Sequence, residues 1–224
     1  MSGKISASIM CGDLLNLESE IKKLEQLGVE YIHLDFMDGQ FVPNITFGTA
    51  LIRALKKAVT TMKIDIHIMG YKPEQYFDAM EIGNGDIVAF HYEACENRKE
   101  IIEELHRRNA KAFLTLSPDT PAEVINDYLD IIDGVLIMTV YPGDSGKPLV
   151  EGSFEKLKKV RSIIDASEKD IVLEVDGCVS WINAPKMKEA GVDLFVTGTS
   201  SIFEKGASYE NTVPRFRDII MQYK

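Results

Sequence analysis

Eight short apolar runs, each separated from the next by a longer segment, constrain this chain more than any other feature. They fall at 4–10, 31–35, 63–68, 86–90, 111–116, 134–140, 170–175 and 193–197. Between them, Leu14, Leu17, Ile21, Leu24 and Leu27 recur at steps of three and four, which marks a helix with one buried stripe. Ile101, Ile102 and Leu105 repeat the pattern, as do Phe154, Leu157, Val160 and Ile163/Ile164. Several of the short runs are apolar nearly throughout, as strands covered on both faces are. Gly28 and Gly191 follow helical segments where left-handed stops belong. Pro73 and Pro121 stand near helix starts.

Eight strand–helix alternations predict an α/β fold, a (β/α)8 TIM barrel, as a single domain over 1–224. Such barrels typically take about 250 residues, so the loops must be short. The rival is an open doubly wound sheet, which carries a glycine-rich fingerprint after its first strand. Here Met10 leads into Cys11-Gly-Asp-Leu-Leu instead. Chemistry-bearing residues also gather at C-terminal strand ends, where barrel active sites are built.

Charge and cysteine usage exclude several classes of function. A formal net charge of −10, with no block of Lys or Arg, argues against nucleic acid or an anionic membrane as partner. A phosphorylated small molecule stays open, because backbone amides and helix N-termini bind phosphate even in acidic proteins. Cys11, Cys95 and Cys178 are scattered without CxxC spacing, which points to a reducing compartment and no structural zinc cluster. The start, Met-Ser-Gly-Lys-Ile, lacks a signal-peptide apolar core, and no run reaches membrane-spanning length. The expected location is the cytoplasm.

In the run 31–35, alternation puts His33 and Asp35 on one face, because side chains two apart in a strand point the same way. His67 stands near the end of the third run and Asp176 just beyond the seventh. Two imidazoles and two carboxylates at three strand ends can hold one divalent cation, and they offer two bases for moving a proton. Taken singly, His33 or His67 reads better as a hydrogen-bonded core residue. The combination carries the argument, since an inward Asp35 is costly to bury alone. Glycines recur after the last three runs, in 142–146, at Gly177 and in 198–201. They let backbone N–H groups approach an anion, in a place where barrels often bind phosphate; ordinary strand-to-helix turns are the plainer alternative. Met37, Met69 and Met138 lie near the same ends, singly as core filler and together as a polarizable roof. His91, ending the fourth run, either lines this mouth or supports it.

The string His33-Leu-Asp-Phe-Met-Asp-Gly-Gln-Phe-Val-Pro-Asn44 closely resembles the signature of the ribulose-phosphate 3-epimerase family. The resemblance continues in the same order through Ser6-Ala-Ser8-Ile, Asp65-Ile-His67-Ile-Met69, Phe90-His-Tyr-Glu-Ala94, Met138-Thr-Val-Tyr-Pro-Gly143, Glu174-Val-Asp176-Gly177 and Val196-Thr-Gly-Thr199. It implies a phosphate-binding barrel that inverts carbon 3 of a ketose phosphate. It also implies His33, Asp35, His67 and Asp176 as metal ligands, with Asp35 and Asp176 as the acid/base pair. Ser8, His67, Met37, Met69 and Met138 are then substrate contacts, and Gly143, Ser145, Gly146, Gly177, Cys178, Gly198 and Thr199 line the phosphate and lid end. The implied cofactor is one divalent metal ion, zinc first, with iron, manganese or cobalt as alternatives. The implied partner is a small-molecule sugar phosphate, and a homo-oligomer is compatible with the family.

Two departures stand out. Where the family usually reads Pro-Gly-Phe-Gly-Gly-Gln, this chain has Pro142-Gly-Asp-Ser-Gly-Lys147, and the usual second glycine after Asp176-Gly177 is Cys178. The stretch 9–15 and Gly198-Thr-Ser200 are more similar to the allulose-6-phosphate 3-epimerase branch. The expected reaction is therefore D-ribulose 5-phosphate to D-xylulose 5-phosphate, with D-allulose 6-phosphate to D-fructose 6-phosphate as the alternative. A non-catalytic sugar-phosphate-binding barrel is a further reading. An aldolase or decarboxylase would need a lysine near the reacting carbon, and the strand-end set contains none.

Overall fold

Eight parallel strands close on one another in chain order in the computed structural model, which describes residues 3–144 and 146–221. They are β1 (Lys4–Ser8), β2 (Tyr31–Met37), β3 (Lys63–Met69), β4 (Ile87–His91), β5 (Lys111–Leu116), β6 (Gly134–Met138), β7 (Val172–Asp176) and β8 (Leu194–Thr197). Around them run α1 (Leu17–Gln26), α2 (Thr49–Ala58), α3 (Phe77–Met80), α4 (Arg98–Arg107), α5 (Ser153–Ala166), α6 (Asn183–Glu189) and α7 (Tyr209–Met221). The crossover from β5 to β6 is a 3-10 helix, Ala122–Asp127, entered from Pro121. This is the (β/α)8 barrel that the alternation predicts.

The strand ends differ from the apolar runs for local reasons. β1 stops at Ser8 because Ile9–Cys11 coils into a 3-10 turn, with the Gly12 N–H on the Ile9 carbonyl at 3.0 Å. β6 stops at Met138, after which the Thr139 N–H turns to the Asp176 carbonyl at 2.8 Å. β2 and β3 run on to Met37 and Met69, which pair in register. Leu14 falls outside α1 and is 53% exposed. There the Asp13 carboxylate accepts the Leu15 N–H at 3.1 Å and the Asn16 side-chain amide at 2.8 Å, so 13–16 turns before the helix begins.

The two faces of each strand have different tasks. Ile32, Leu34 and Phe36 of β2 and Ile64, Ile66 and Ile68 of β3 join Ile21, Leu24, Ile52 and Leu55 of the helices in one apolar shell. Each such side chain, fully buried, contributes about 1.5–3 kcal/mol. The alternate positions face the barrel interior. Its lower part is an apolar plug of Tyr31, Ile87, Ala89, Phe113, Leu136, Leu194 and Val196. At the foot of β6 the Phe113 ring lies so close that a Cβ on Gly134 would come within 2.4 Å of its Cζ. The polar residues occupy the levels above this plug.

Carboxylates clamp the strand starts. Glu30 accepts the Ile5 N–H at 3.1 Å and pairs with Arg217 at 2.6 Å. Asp193 accepts the Leu173 N–H at 3.0 Å and pairs with Arg161 at 3.1 Å. Just before β3, Glu25 accepts the Thr60 and Thr61 N–H groups at 2.6 Å and the Thr60 hydroxyl at 2.8 Å. Burial pushes the Glu25 carboxyl up, but these bonds together hold it down to about 2, against an ordinary 4.5. A folded pKa below the unfolded one gives stability that is present above the ordinary value and lost as pH falls through the folded one. Glu25→Gln should therefore lower Tm at neutral pH, with the gap to the parent protein closing as pH drops from 4.5 toward about 2. Thermal melts of both proteins across that range check it, and a gap that does not change with pH would contradict it.

Candidate active site

Strand register brings the chemistry together. Asp35 of β2 pairs with His67 of β3, and Met138 of β6 pairs with Asp176 of β7. His33, two residues before Asp35 on the same inward face, completes a quartet. One ligand atom from each of His33, Asp35, His67 and Asp176 lies within 4.8 Å of the others. His33 Nε2 is 3.3 Å from Asp35 Oδ1 and 4.0 Å from Asp176 Oδ2. His67 Nδ1 is 3.5 Å from each of those same two oxygens. Close as they are in charge, the pairs are not aligned as hydrogen bonds, and both ring nitrogens are buried without a hydrogen-bond partner. Donors at 2.0–2.2 Å from a tetrahedral cation sit about 3.4 Å apart. The quartet is thus spaced and composed to fit one divalent cation.

The outer nitrogen of each ring is engaged. His33 Nδ1 is 2.6 Å from Asp65 Oδ2, which also accepts the Ser6 hydroxyl at 2.6 Å. His67 Nε2 is 3.0 Å from His91 Nε2, and His91 Nδ1 is 3.1 Å from Glu93 Oε2. Such partners orient a ligand ring and decide which nitrogen keeps its lone pair.

Burial opposes charge on His33, but the Asp65 and Asp35 carboxylates outweigh it and raise the imidazole well above its ordinary range. His67 is likewise raised against burial, by its contacts with Asp176 and Asp35. Burial also pushes Asp35 up, yet the His33 charge, with the contacts to His33 and His67, holds it below the usual carboxylate range. Glu174 goes the other way: burial and then the Asp65 charge raise it well above its ordinary value. Burial takes His91 down to about 4.

Asp35 and Asp176 open onto a pocket at the C-terminal end of the barrel. Its wall includes Ser8, Met37, Met69, Met138, Gly143, Gly146, Gly177, Cys178, Gly198 and Thr199, all singled out from the sequence. Ser145 lies outside the described residues. Expected also to touch substrate, His67 is instead fully buried and absent from this wall, because the carboxylates it contacts cover it. Ser8 donates to Asp35 Oδ2 at 2.9 Å. Gly177 has φ +104°, and a Cβ there would meet Val140 Cγ2 at 2.7 Å. Cys178 takes a left-handed φ of 48° without being glycine, and Asn183 Nδ2 donates to its carbonyl at 2.9 Å. Among the described residues no lysine lines the pocket, and Lys147 is exposed.

Sequence reasoning missed Met10, Cys11, Val140 and Tyr141 in the wall, and Asp65 and Glu174 beneath it. The last two carry a usable signal. Asp65 precedes His67 by two residues and Glu174 precedes Asp176 by two, the same inward spacing as His33 before Asp35.

A family model described as the ribulose-phosphate 3 epimerase family matches residues 4–203, which hold the quartet and the whole pocket wall. The chain belongs to the ribulose-phosphate 3-epimerase family. It is 38% identical over 198 residues to the ribulose-phosphate 3-epimerase of Bacillus subtilis, covering 88% of this chain and 91% of the relative. The Chlamydia pneumoniae enzyme of the same name is 37% identical over 202 residues, covering 89% and 87%. That of Schizosaccharomyces pombe is 32% identical over 224 residues, covering 99% and 96%. Among solved structures, KGPDC from Streptococcus mutans aligns with a TM-score of 0.68 at 14% identity, covering 100% of this chain and 99% of that one. That likeness speaks for the barrel alone. Ribulose-phosphate 3-epimerases depend on a divalent metal, and the quartet is a buried His/Asp cluster able to take one. Among the described residues, no helix is long and apolar enough to cross a membrane.

Both imidazoles are raised, so protons compete with an arriving cation for their ring nitrogens. Cation binding should release protons and weaken as pH falls. Titration calorimetry in two buffers of different ionisation heat measures this, and binding at about pH 7 without proton release would contradict it.

Proposed function

We propose that this chain interconverts D-ribulose 5-phosphate and D-xylulose 5-phosphate by moving a proton at carbon 3 through an enediolate. One observation carries the reading: Asp35 and Asp176, on strands well apart around the barrel, both reach the pocket while contacting the same His67 nitrogen at 3.5 Å. Inversion needs one carboxylate to take the proton from one face of the sugar and a second to return one to the other. Asp35, held ionised, is ready as a base, and Ser8 fixes its free oxygen. Asp176 serves the opposite face, and the direction of reaction decides which of the two acts first.

His33, Asp35, His67 and Asp176 would hold the metal ion. When bound, it supplies positive charge to the developing enediolate oxygens. Zinc suits two imidazoles and two carboxylates best, and iron, manganese and cobalt accept the same donors. Met37, Met69 and Met138 exclude water above the reacting carbon. Backbone N–H groups around Gly143, Gly146, Gly177, Gly198 and Thr199 take the phosphate.

The names of the relatives favour the five-carbon pair over the six-carbon one. Free Cys11, Cys95 and Cys178 support a reducing cytoplasm, and the net charge of −10 supports a partner other than nucleic acid.

Incubating the metal-loaded protein with each sugar phosphate in deuterated water should place deuterium at carbon 3 of D-ribulose 5-phosphate. Incorporation only into D-allulose 6-phosphate would move the assignment to the six-carbon pair, and none into either would end it. Asp35→Asn and Asp176→Asn should each lower kcat by at least about a hundredfold, the scale of a positioned acid or base. A variant with near-parental turnover would remove that residue from the mechanism.

A further inference from the structure

From His67 a line of side chains runs outward through His91 and Glu93, neither of which lines the pocket or belongs to the quartet. We propose that His91 and Glu93 are positioning residues for the metal centre, fixing the His67 ring so that Nδ1, with its lone pair free, faces Asp35 and Asp176. The inference rests on reading the quartet as a cation site.

The hydrogens along the line follow from its far end. Glu93 Oε2 lies 3.1 Å from His91 Nδ1, and a carboxylate only accepts, so that nitrogen carries the hydrogen. Ser117 Oγ, 3.3 Å from the same nitrogen, can share the N–H as a second acceptor. A neutral His91 then has a lone pair at Nε2. His67 Nε2 sits 3.0 Å from it, so the hydrogen between the two rings belongs to His67. A neutral His67 with its hydrogen on Nε2 has its lone pair on Nδ1, the buried nitrogen that finds no hydrogen-bond partner in the quartet. Reversing the line would aim an N–H at the place where a cation belongs.

The line is also braced. The His67 and His91 rings meet edge to edge, with centroids 5.1 Å apart and planes inclined by 27°, and the Phe41 ring lies 4.7 Å from His91. Glu93 Oε1 accepts the Ser117 N–H at 3.0 Å and the Thr120 hydroxyl. Lys156 of α5 donates to the Ser117 carbonyl at 2.6 Å, holding the 117–120 segment that grips the carboxylate. His91 therefore has one orientation available to it, and passes that constraint to His67.

The test uses the full chain with zinc as the probe, measuring affinity by competition with a chromogenic chelator and reading the His67 nitrogens by 15N NMR of the zinc-loaded protein. His91→Phe keeps the ring and removes the acceptor. It should bind zinc about ten- to a hundredfold more weakly and lose the single Nδ1-coordinated signature of His67. In His91→Gln the amide carbonyl can accept from His67 while the amide NH2 donates to Glu93, so affinity should return to within a few-fold of the parent. If His91→Phe does not fold, Glu93→Ala stands in, with the same loss expected. Parental affinity with His67 still coordinating through Nδ1, in whichever of these two variants folds, would overturn the proposal. Equal weakening in His91→Phe and His91→Gln would overturn it too, because packing rather than the hydrogen bond would then be the cause. A parent protein that binds no zinc would refute the cation reading itself, a result separable from the other two.

Discussion

Burial of opposite charges against one another, inside a barrel whose outer strand faces are apolar, is the constraint on which everything else in this molecule rests. His33, Asp65, His67 and Glu174 are wholly buried and Asp35 nearly so. A carboxylate left unpaired there would cost several kcal/mol. The arrangement stands because the signs alternate. Asp65 and Asp35 flank His33, Asp35 and Asp176 flank His67, and burial beside Asp65 raises Glu174 well above its ordinary value. Burial opposes charge on His33 and His67, and the carboxylates around them raise both imidazoles. A divalent cation held by His33, Asp35, His67 and Asp176 would supply positive charge to the same carboxylates.

That balance depends on strand register. A slip of one residue would turn His33, Asp35 and the inward residues of β3 into the apolar shell and bring Ile32, Leu34 and Ile66 inside. The lower half of the barrel guards against it. The apolar plug around Phe113 fits only because Gly134 lacks a side chain, and the carboxylates at the strand starts tie helices to particular backbone amides. Stability is thus concentrated at one end of the strands and reactivity at the other, in line with the general division of labour in such barrels.

Much of this was legible in the sequence, and the reasons are specific. Alternation at His33-Leu-Asp35 is a strong signal, because two polar side chains on one face of an apolar strand must share a purpose. The eight strands followed from apolar runs bounded by turn residues. What the sequence hid was the layer below. Asp65 and Glu174 obey the same two-residue spacing, yet each reads as the ordinary polar member of a half-buried strand until the closed barrel shows that both faces are covered. Leu14 misled for the opposite reason: its spacing fits the helix stripe, but the Asp13 turn bonds hold 13–16 in a turn, and the helix begins only at Leu17. Met10, Cys11, Val140 and Tyr141 join the pocket through loop paths that no periodicity encodes.

The two departures from the family pattern fall where they can be absorbed. Each residue of the quartet is paired in register with at least one neighbouring strand, so each is placed by the ladder independently of the loops beyond. Cys178 and the segment around Asp144 begin only after those ladders end. Cys178 holds a left-handed backbone in which glycine would be unstrained, steadied by the Asn183 amide on its carbonyl, while Asp176 two residues earlier remains on its strand. A side chain at 178 can therefore reshape the anion end of the pocket without moving the carboxylate proposed to handle the proton. For the proposed reaction, separation of this kind assigns substrate length to the loops and inversion to the strands.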